Sequence, residues 1–364
     1  MAEQIAIPCL FMRAGTSRGP FFNRNHLPQD LDKLSKVLVA AIGAGHKLNI
    51  NGVGGGVAVT TKVAMVSPST EEWADVDYFF AQVNVEDEYV DFSPTCGNML
   101  SGIGPAAIEM GLMHTTEGKT TIRIRSVNTG TRIEAIVETP YDPMPRVEYE
   151  GTAQIDGVPG TAAPIQLNFM DVMGSKTNGL LPTGQKIEQI DGVDTTLIDV
   201  AVPMMVLRAN DMGKTGYESA QDLTDDTAFM KKLEAMRLQA GERMGLGDVS
   251  KRVIPKVGLL SKSRNKGCVS IRYFMPWQCH PSLAVTGSMA FAGCVLLPGT
   301  VADGLTEMEK DADSILFEHP VGNMKVTVDY TLQNGELDLR ASGSIRTARL
   351  LMHGELMVPS STFE

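Results

Sequence analysis

Cysteine is scarce and unpatterned: Cys9, Cys96, Cys268, Cys279 and Cys294 are odd in number, scattered over 364 residues and contain no C-x-x-C pair. Neither a disulfide framework nor a zinc site fits that usage, and the thiols are expected to stay reduced. No His, Cys and carboxylate group has ligand spacing, so neither a metal nor another cofactor is expected. Long apolar runs are missing too. None approaches the roughly 20 residues of a transmembrane helix. The start, Met1-Ala2-Glu3-Gln4-Ile5, has no basic stretch followed by an apolar core, so a cytoplasmic protein is expected. Positive charge is in deficit: 32 Lys and Arg against 43 Asp and Glu leave −11, which argues against nucleic acid or an anionic membrane as partner. A small anion feels local charge, and a few convergent Arg or Lys residues suffice for it. Low-complexity segments and coiled-coil heptads are also lacking.

The rest of the composition is globular, with 43% hydrophobic and 21% charged residues. The length suits two domains of about 150–180 residues each. A Pro-rich stretch, Pro140 to Pro145, marks the boundary near residues 145–150.

Helical spacing runs from Asp30 to Ala44, from Gly102 to Gly111 and from Asp226 to Met244, where the Met content reads as core filling. Strands are expected at Ile5–Phe11, Pro20–Phe22, Val57–Val66, Val76–Val85, Glu88–Phe92, Thr120–Ser126, Thr131–Val137, Thr195–Val202 and Val269–Phe274. Further strands are expected at Lys325–Tyr330, Leu337–Ala341 and Arg346–Val358. Gly52-Val53-Gly54-Gly55-Gly56 carries four Gly in five residues and implies close backbone approach. It is not a P-loop, because Gly-Lys-Ser/Thr is missing, and not a dinucleotide fingerprint, because no strand precedes it.

Cys96 stands in Ser93-Pro94-Thr95-Cys96-Gly97-Asn98-Met99-Leu100-Ser101-Gly102, where a Pro-bounded loop turns into a helix N-terminus. Free backbone N–H groups and the positive end of a helix dipole there can activate a thiol and hold a carboxylate on Gly97 and Asn98. The alternative is a small buried Cys capping a helix. Thr286-Gly287-Ser288-Met289-Ala290-Phe291-Ala292-Gly293 repeats the pattern from Cys96 to Ile103, either by chance or as a duplication. A duplication would set two helix N-termini facing each other across a cleft.

Three other groups could meet an anion. Arg13-Ala14-Gly15-Thr16-Ser17-Arg18-Gly19 places two guanidinium groups and two hydroxyls within seven residues, as a carboxylate-binding loop or as a solvated hairpin turn. Lys62 is the only charge between Gly56 and Ser69, and either snorkels to the surface or points into a site as a base. The loop from Gly174 to Gly184 holds Lys176 and Thr183 among hydroxyls and glycines. His280, beside Pro281, reads as a structural histidine rather than a ligand or acid.

Taken together, Arg13 to Gly19, Gly52 to Gly56 followed by Lys62, Thr95 to Gly102, Gly174 to Gly184 and Arg346-Thr347-Ala348-Arg349 resemble the PrpF family over nearly the whole chain and in the right order. The family includes methylaconitate isomerase, methylitaconate isomerase and 4-oxalomesaconate tautomerase. Asp156 to Pro164, Asn98 to Gly102 and Met244 to Ser250 look most like the tautomerase branch. The resemblance implies an α+β, diaminopimelate-epimerase-like fold. It has two pseudo-symmetric domains, each a curved β-sheet or barrel around a central helix, with the active site in the cleft between them. Residues 1–147 with a C-terminal strand from about 345 to 364 would form one domain, and 148–344 the other.

It further implies Lys62 and Cys96 as the catalytic pair, with either one as base. Arg13, Thr16, Ser17, Arg18, Gly97, Asn98, Lys176, Thr183, Thr286, Gly287 and Ser288 would contact substrate. Thr286 stands where an epimerase bears a second Cys, which disfavours two-thiol epimerisation. Arg18 replaces a frequent Lys, and Asn178-Gly179 a frequent Gly-Lys. The expected chemistry is a cofactor-free allylic proton shift in an unsaturated di- or tricarboxylate, 4-oxalomesaconate first, in aromatic-acid catabolism. The alternatives are cis–trans isomerisation of 2-methylaconitate and a non-catalytic partner of an aconitase-type enzyme. A homo-oligomer is allowed, and the exact substrate stays open.

Overall fold

The computed structural model describes residues 3–141, 143–275, 277–308 and 312–364. Met1 and Ala2 of the N-terminal reading and Asp142 of the Pro140 to Pro145 stretch lie outside the described residues. Two compact units are present: Met1–Asn168 with Ile345–Glu364, and Phe169–Ser344.

In the first unit, β1 (Gln4–Ala14) pairs antiparallel with β2 (Ser17–Asn23) on one side and with the C-terminal strand Ala348–Pro359 on the other. After α1 (Leu31–Ile42), β3 (Lys62–Pro68) joins β2 in parallel and β4 (Val76–Val83) antiparallel. The short β5 (Val90–Asp91) borders β4, then α2 (Gly97–Leu100) and α3 (Ile103–Glu109) follow. β6 (Gly118–Ser126) pairs parallel to β4 and antiparallel to β7 (Arg132–Thr139).

Helix α1 follows from its sequence. Asp30 caps it by accepting from the backbone N–H groups of Asp32 and Lys33, and Gly43 ends it in the left-handed conformation at φ +77°. Its stripe of Leu34, Val37, Leu38 and Ala41 is buried against Ile7, Cys9, Phe22, Val63 and Met65. Each fully buried Leu or Val of that kind contributes about 1.5–3 kcal/mol. The Gly52 to Gly56 run serves this helix end. Asn49 is buried and donates its amide to the carbonyls of Gly43, His46 and Val85 at 3.1, 3.2 and 3.0 Å, while its Oδ1 accepts from Gly56 N at 2.9 Å. A Cβ at Gly54 would lie 2.7 Å from both Asn49 Oδ1 and the Ile42 carbonyl, so the close approach there is chain on chain.

Helices α2 and α3 lie on the opposite face. A Cβ at Gly102 would come within 2.5 Å of the Phe21 ring on β2, and one at Gly104 within 2.8 Å of Val137 on β7. Strands far apart in the chain thus enclose one helix, and the sheet curves round it.

The second unit repeats the plan. Val193–Val200, Val202–Arg208, Lys256–Ser261, Val269–Phe274, Ser314–His319, Gly322–Gln333 and Glu336–Arg346 form successive pairs, antiparallel except where Val202–Arg208 meets Lys256–Ser261 and Val269–Phe274 meets Ser314–His319. They pack on the buried α6 (Val285–Leu296), while α4 (Ala220–Asp225) and α5 (Thr227–Arg243) contribute to a separate core with Phe229, Leu233 and Met236.

Three sequence expectations shift. Val57 to Thr61 is not strand: Thr60 Oγ1 bonds back to the Val57 carbonyl at 2.8 Å around a 3₁₀ turn, so Lys62 begins β3. The helix after Cys96 is a single turn, tightened at its end by i→i−3 bonds from the Ser101 and Gly102 N–H groups to the Asn98 and Met99 carbonyls, at 3.1 and 3.0 Å, before α3 continues. Finally, the strand expected to run to Val202 breaks at Ala201, which is left-handed at φ +57°.

Candidate functional site

Lys62 is half-buried at the start of β3, directly opposite Gln82 on β4. Its Nζ donates to Gln82 Oε1 at 2.7 Å and lies over the Phe80 ring, 5.2 Å from the centroid. The Gln82 amide is oriented by its own donations to Thr61 Oγ1 at 3.1 Å and to the Ala58 carbonyl at 3.1 Å, which leaves Oε1 for the lysine.

Two residues before Phe80, and so on the same face of β4, Tyr78 donates its hydroxyl to the Cys96 carbonyl at 3.1 Å. Burial pushes the Tyr78 hydroxyl well above its ordinary range, so it stays a donor. β4 therefore carries contacts to both Lys62 and Cys96 on one side. Cys96 is 9% exposed and takes the extended cap position, φ −133° and ψ 108°, before α2. Beside it a Cβ on Gly97 would meet nothing within 4 Å, so the approach to the start of this turn is open. Burial pushes the other four thiols up, Cys9, Cys279 and Cys294 to about 12 and Cys268 to about 11.

The hairpin between β1 and β2 divides the residues of the Arg13 to Gly19 loop. Register pairs Arg13 with Arg18 and Ala14 with Ser17 across a two-residue turn, with Gly15 at φ +54°. Asn98 donates its side-chain amide to Thr16 Oγ1 at 2.9 Å, which ties that turn to α2. Ala14 lies against α3, so alternation puts Ser17 and Gly19 on the face that carries Lys62 and Tyr78. Ser17 Oγ is buried and has no hydrogen-bond partner among the described residues. Arg13 and Arg18 belong to the other face. Arg13 Nη1 donates to the carbonyls of Gly15 and Thr347 and to Thr347 Oγ1, at 3.2, 2.7 and 2.9 Å, and Arg18 sits 5.6 Å above the Phe11 ring.

In the second unit, Asp199 is fully buried and organises the loop after Gly174. It accepts from Ser175 Oγ at 2.7 Å, the Lys176 backbone N–H at 2.7 Å and Thr177 Oγ1 at 2.9 Å. The Lys176 side chain is exposed, and Thr183 donates to Glu188 at 2.7 Å. Thr286 is exposed at the second position of α6, Gly287 packs its Cα against the Tyr273 ring, and Ser288 bonds back to the Val285 carbonyl at 2.7 Å. His280 accepts from the Ser282 backbone N–H at 2.9 Å and lies beside Tyr273, as a structural histidine does.

Gln82, Tyr78 and Asp199 were not singled out from the sequence. Gln82 carried a usable signal, as a polar residue at an alternating position of a strand next to the one bearing Lys62. Among the described residues no group of three His, Cys, Asp or Glu side chains could hold a metal, and no helix is long and apolar enough to cross a membrane.

YbhH of Escherichia coli (strain K12) is 48% identical over 353 residues, covering 97% of this chain and 99% of that one. The 4-oxalomesaconate tautomerase of Pseudomonas putida is 43% identical over 361 residues, covering 99% and 98%. The crystal structure of methylitaconate-delta-isomerase superposes with a TM-score of 0.91 at 30% identity, covering 100% of this chain and 98% of the other. The PrpF protein family model matches residues 4–359, and the chain is an isomerase that belongs to the PrpF family.

Proposed function

We propose that the protein moves a proton, and with it a C=C bond, within an unsaturated tricarboxylic acid, 4-oxalomesaconate. The observation that carries this reading is the common face of β3 and β4, where Lys62 and the turn at Cys96 are held by Gln82, Phe80 and Tyr78. The choice of substrate rests on the tautomerase relative, whose 43% identity exceeds the 30% of the methylitaconate isomerase structure.

A carbon next to a carboxyl or keto group loses a proton only if the resulting dienolate is stabilised. Lys62, as the neutral amine, takes that proton, and the Cys96 thiol delivers one at the far end of the allylic system. The ammonium and thiolate left behind exchange one proton to restore the resting pair. Ser17 Oγ and the backbone N–H groups at the start of α2 donate to substrate carboxylates, with Asn98 and Thr16 holding the hairpin turn in place. The net change is a relocated proton, so the chemistry asks for a base, an acid and anion donors, and for no redox group.

The test is incubation with 4-oxalomesaconate, trans-aconitate and 2-methylaconitate in D2O, followed by NMR. Rapid exchange and conversion of 4-oxalomesaconate alone is the expected result. Preferential cis–trans conversion of 2-methylaconitate would replace this reading.

A further inference from the structure

Register places three guanidinium side chains in one row. Arg18 on β2 pairs with Arg13 on β1, and Arg13 pairs with Arg349 on the C-terminal strand, so all three rise from the same face of three adjacent antiparallel strands. Like charges directly opposite each other destabilise a sheet. Among the described residues neither Arg13 nor Arg349 has an ion-pair partner.

Over Arg13 and Arg349 the chain from Tyr149 to Ala162 closes a cavity of about 90 Å³, with Thr347, Tyr149, Glu150 and Thr161 among its walls. That is several times the ~10–15 Å³ that one water requires, and enough for a carboxylate-sized oxyanion. Burial and the Arg349 charge hold the Arg13 guanidinium below its ordinary value. Its Nη1 is fixed on Gly15 and Thr347, while Arg349 is exposed at the rim and makes no hydrogen bond among the described residues.

We propose that this cavity is a binding site for a small oxyanion, of carboxylate, bicarbonate or phosphate type, on the face of the sheet opposite Lys62 and Cys96. A guanidinium fork matches such an anion with two parallel hydrogen bonds, and one bound charge relieves the repulsion between two arginines. The site goes beyond the substrate assigned above and does not depend on it. It also touches the hairpin: a Cβ at Gly157 would lie 3.2 Å from the Thr16 methyl group, so an anion that fixes the 149–162 segment also braces the turn that Asn98 holds.

The experiment is thermal unfolding in chloride buffer at constant ionic strength, with acetate, bicarbonate or phosphate added, on the wild type, Arg349→Gln, Arg349→Lys and Lys62→Met. At least one oxyanion is expected to raise the wild-type midpoint saturably by about 2–4 °C. Lys62→Met should keep the rise, Arg349→Gln should lose it, and Arg349→Lys should keep part of it. Arg349→Gln should also turn over substrate within about threefold of wild type, because its side chain lies on the far face. No rise in the wild type, or a rise that survives in Arg349→Gln, overturns the site. A rise lost in Lys62→Met, or a collapse of kcat/KM in Arg349→Gln, would instead move the anion to the substrate face and overturn the separation.

Discussion

Lys62 and Gln82 face each other across β3 and β4, joined by a 2.7 Å hydrogen bond in which the lysine donates and the amide oxygen accepts. The amide is pinned in turn by Thr61 and Ala58. Gln82 thus acts as a positioning residue for the lysine. Gln82→Leu should lower kcat by about 10- to 100-fold, since small misplacements of a reacting group cost that much. Gln82→Glu places a carboxylate against Lys62, which favours the ammonium form. If neutral Lys62 is the base, the alkaline-rising limb of kcat/KM should move to higher pH in Gln82→Glu, and an unmoved limb would count against that role.

Cys96→Ala should lose about 10²–10⁴-fold in turnover, the usual contribution of a general acid or base. The fold should survive, at a cost of about 1 kcal/mol. Because burial holds the other four thiols protonated, alkylation near neutral pH should reach Cys96 first and be slowed by substrate. Mass spectrometry of the labelled protein reads this directly. Near wild-type activity in Cys96→Ala would remove the thiol from the mechanism.

Deuterium exchange separates the two proton-transfer roles. With Lys62 as base, Lys62→Met should stop washout of the departing hydrogen in D2O, because no dienolate forms. Cys96→Ser should slow product formation yet keep exchange at the abstraction carbon. The opposite pattern assigns the thiol as base and the lysine as acid. Normal exchange in both variants would exclude the pair.

Asp199 is buried and accepts from Ser175, Lys176 and Thr177. Asp199→Ala leaves those donors without their acceptor and should cost about 1–3 kcal/mol or more. For a unit the size of Phe169–Ser344 each kcal/mol lowers the midpoint by about 2–4 °C, which calorimetry resolves. Faster proteolysis between Gly174 and Gly184 should accompany the loss.

His280 makes stability depend on pH. Burial, together with the charge of Lys256, holds its pKa below the ordinary value of 6.5. The unfolded chain therefore binds more protons than the folded one as pH falls through the ordinary histidine range. The contribution is present above about pH 6.5 and is lost as pH falls below it toward the depressed folded-state value. The midpoint of unfolding should fall over that interval, and less so in His280→Gln. An equal fall in both proteins would show that other groups govern it.

Much of this was legible because the causes were local. Asp30 and Gly43 bound α1, Asp226 caps α5, and Gly15 between strand-like runs marks the first hairpin, since capping and left-handed turns are chosen by residues within a few positions. Lys62 and Cys96 stood out as a charge in an apolar stretch and a thiol at a turn. What the hairpin does with its side chains was decided by tertiary structure. The same seven residues send Ser17 toward the Lys62 face and Arg13 and Arg18 to the other, because α3 claims one side of β1 through Ala14 and the strand partners set the register. Gln82, Tyr78 and Arg349 acquire meaning only when distant strands meet, 20 residues from Lys62 to Gln82 and more than 300 from Arg13 to Thr347. The glycine at position 102 has the same origin, since the ring of Phe21, some 80 residues earlier in the chain, lies where a side chain between α2 and α3 would have to stand.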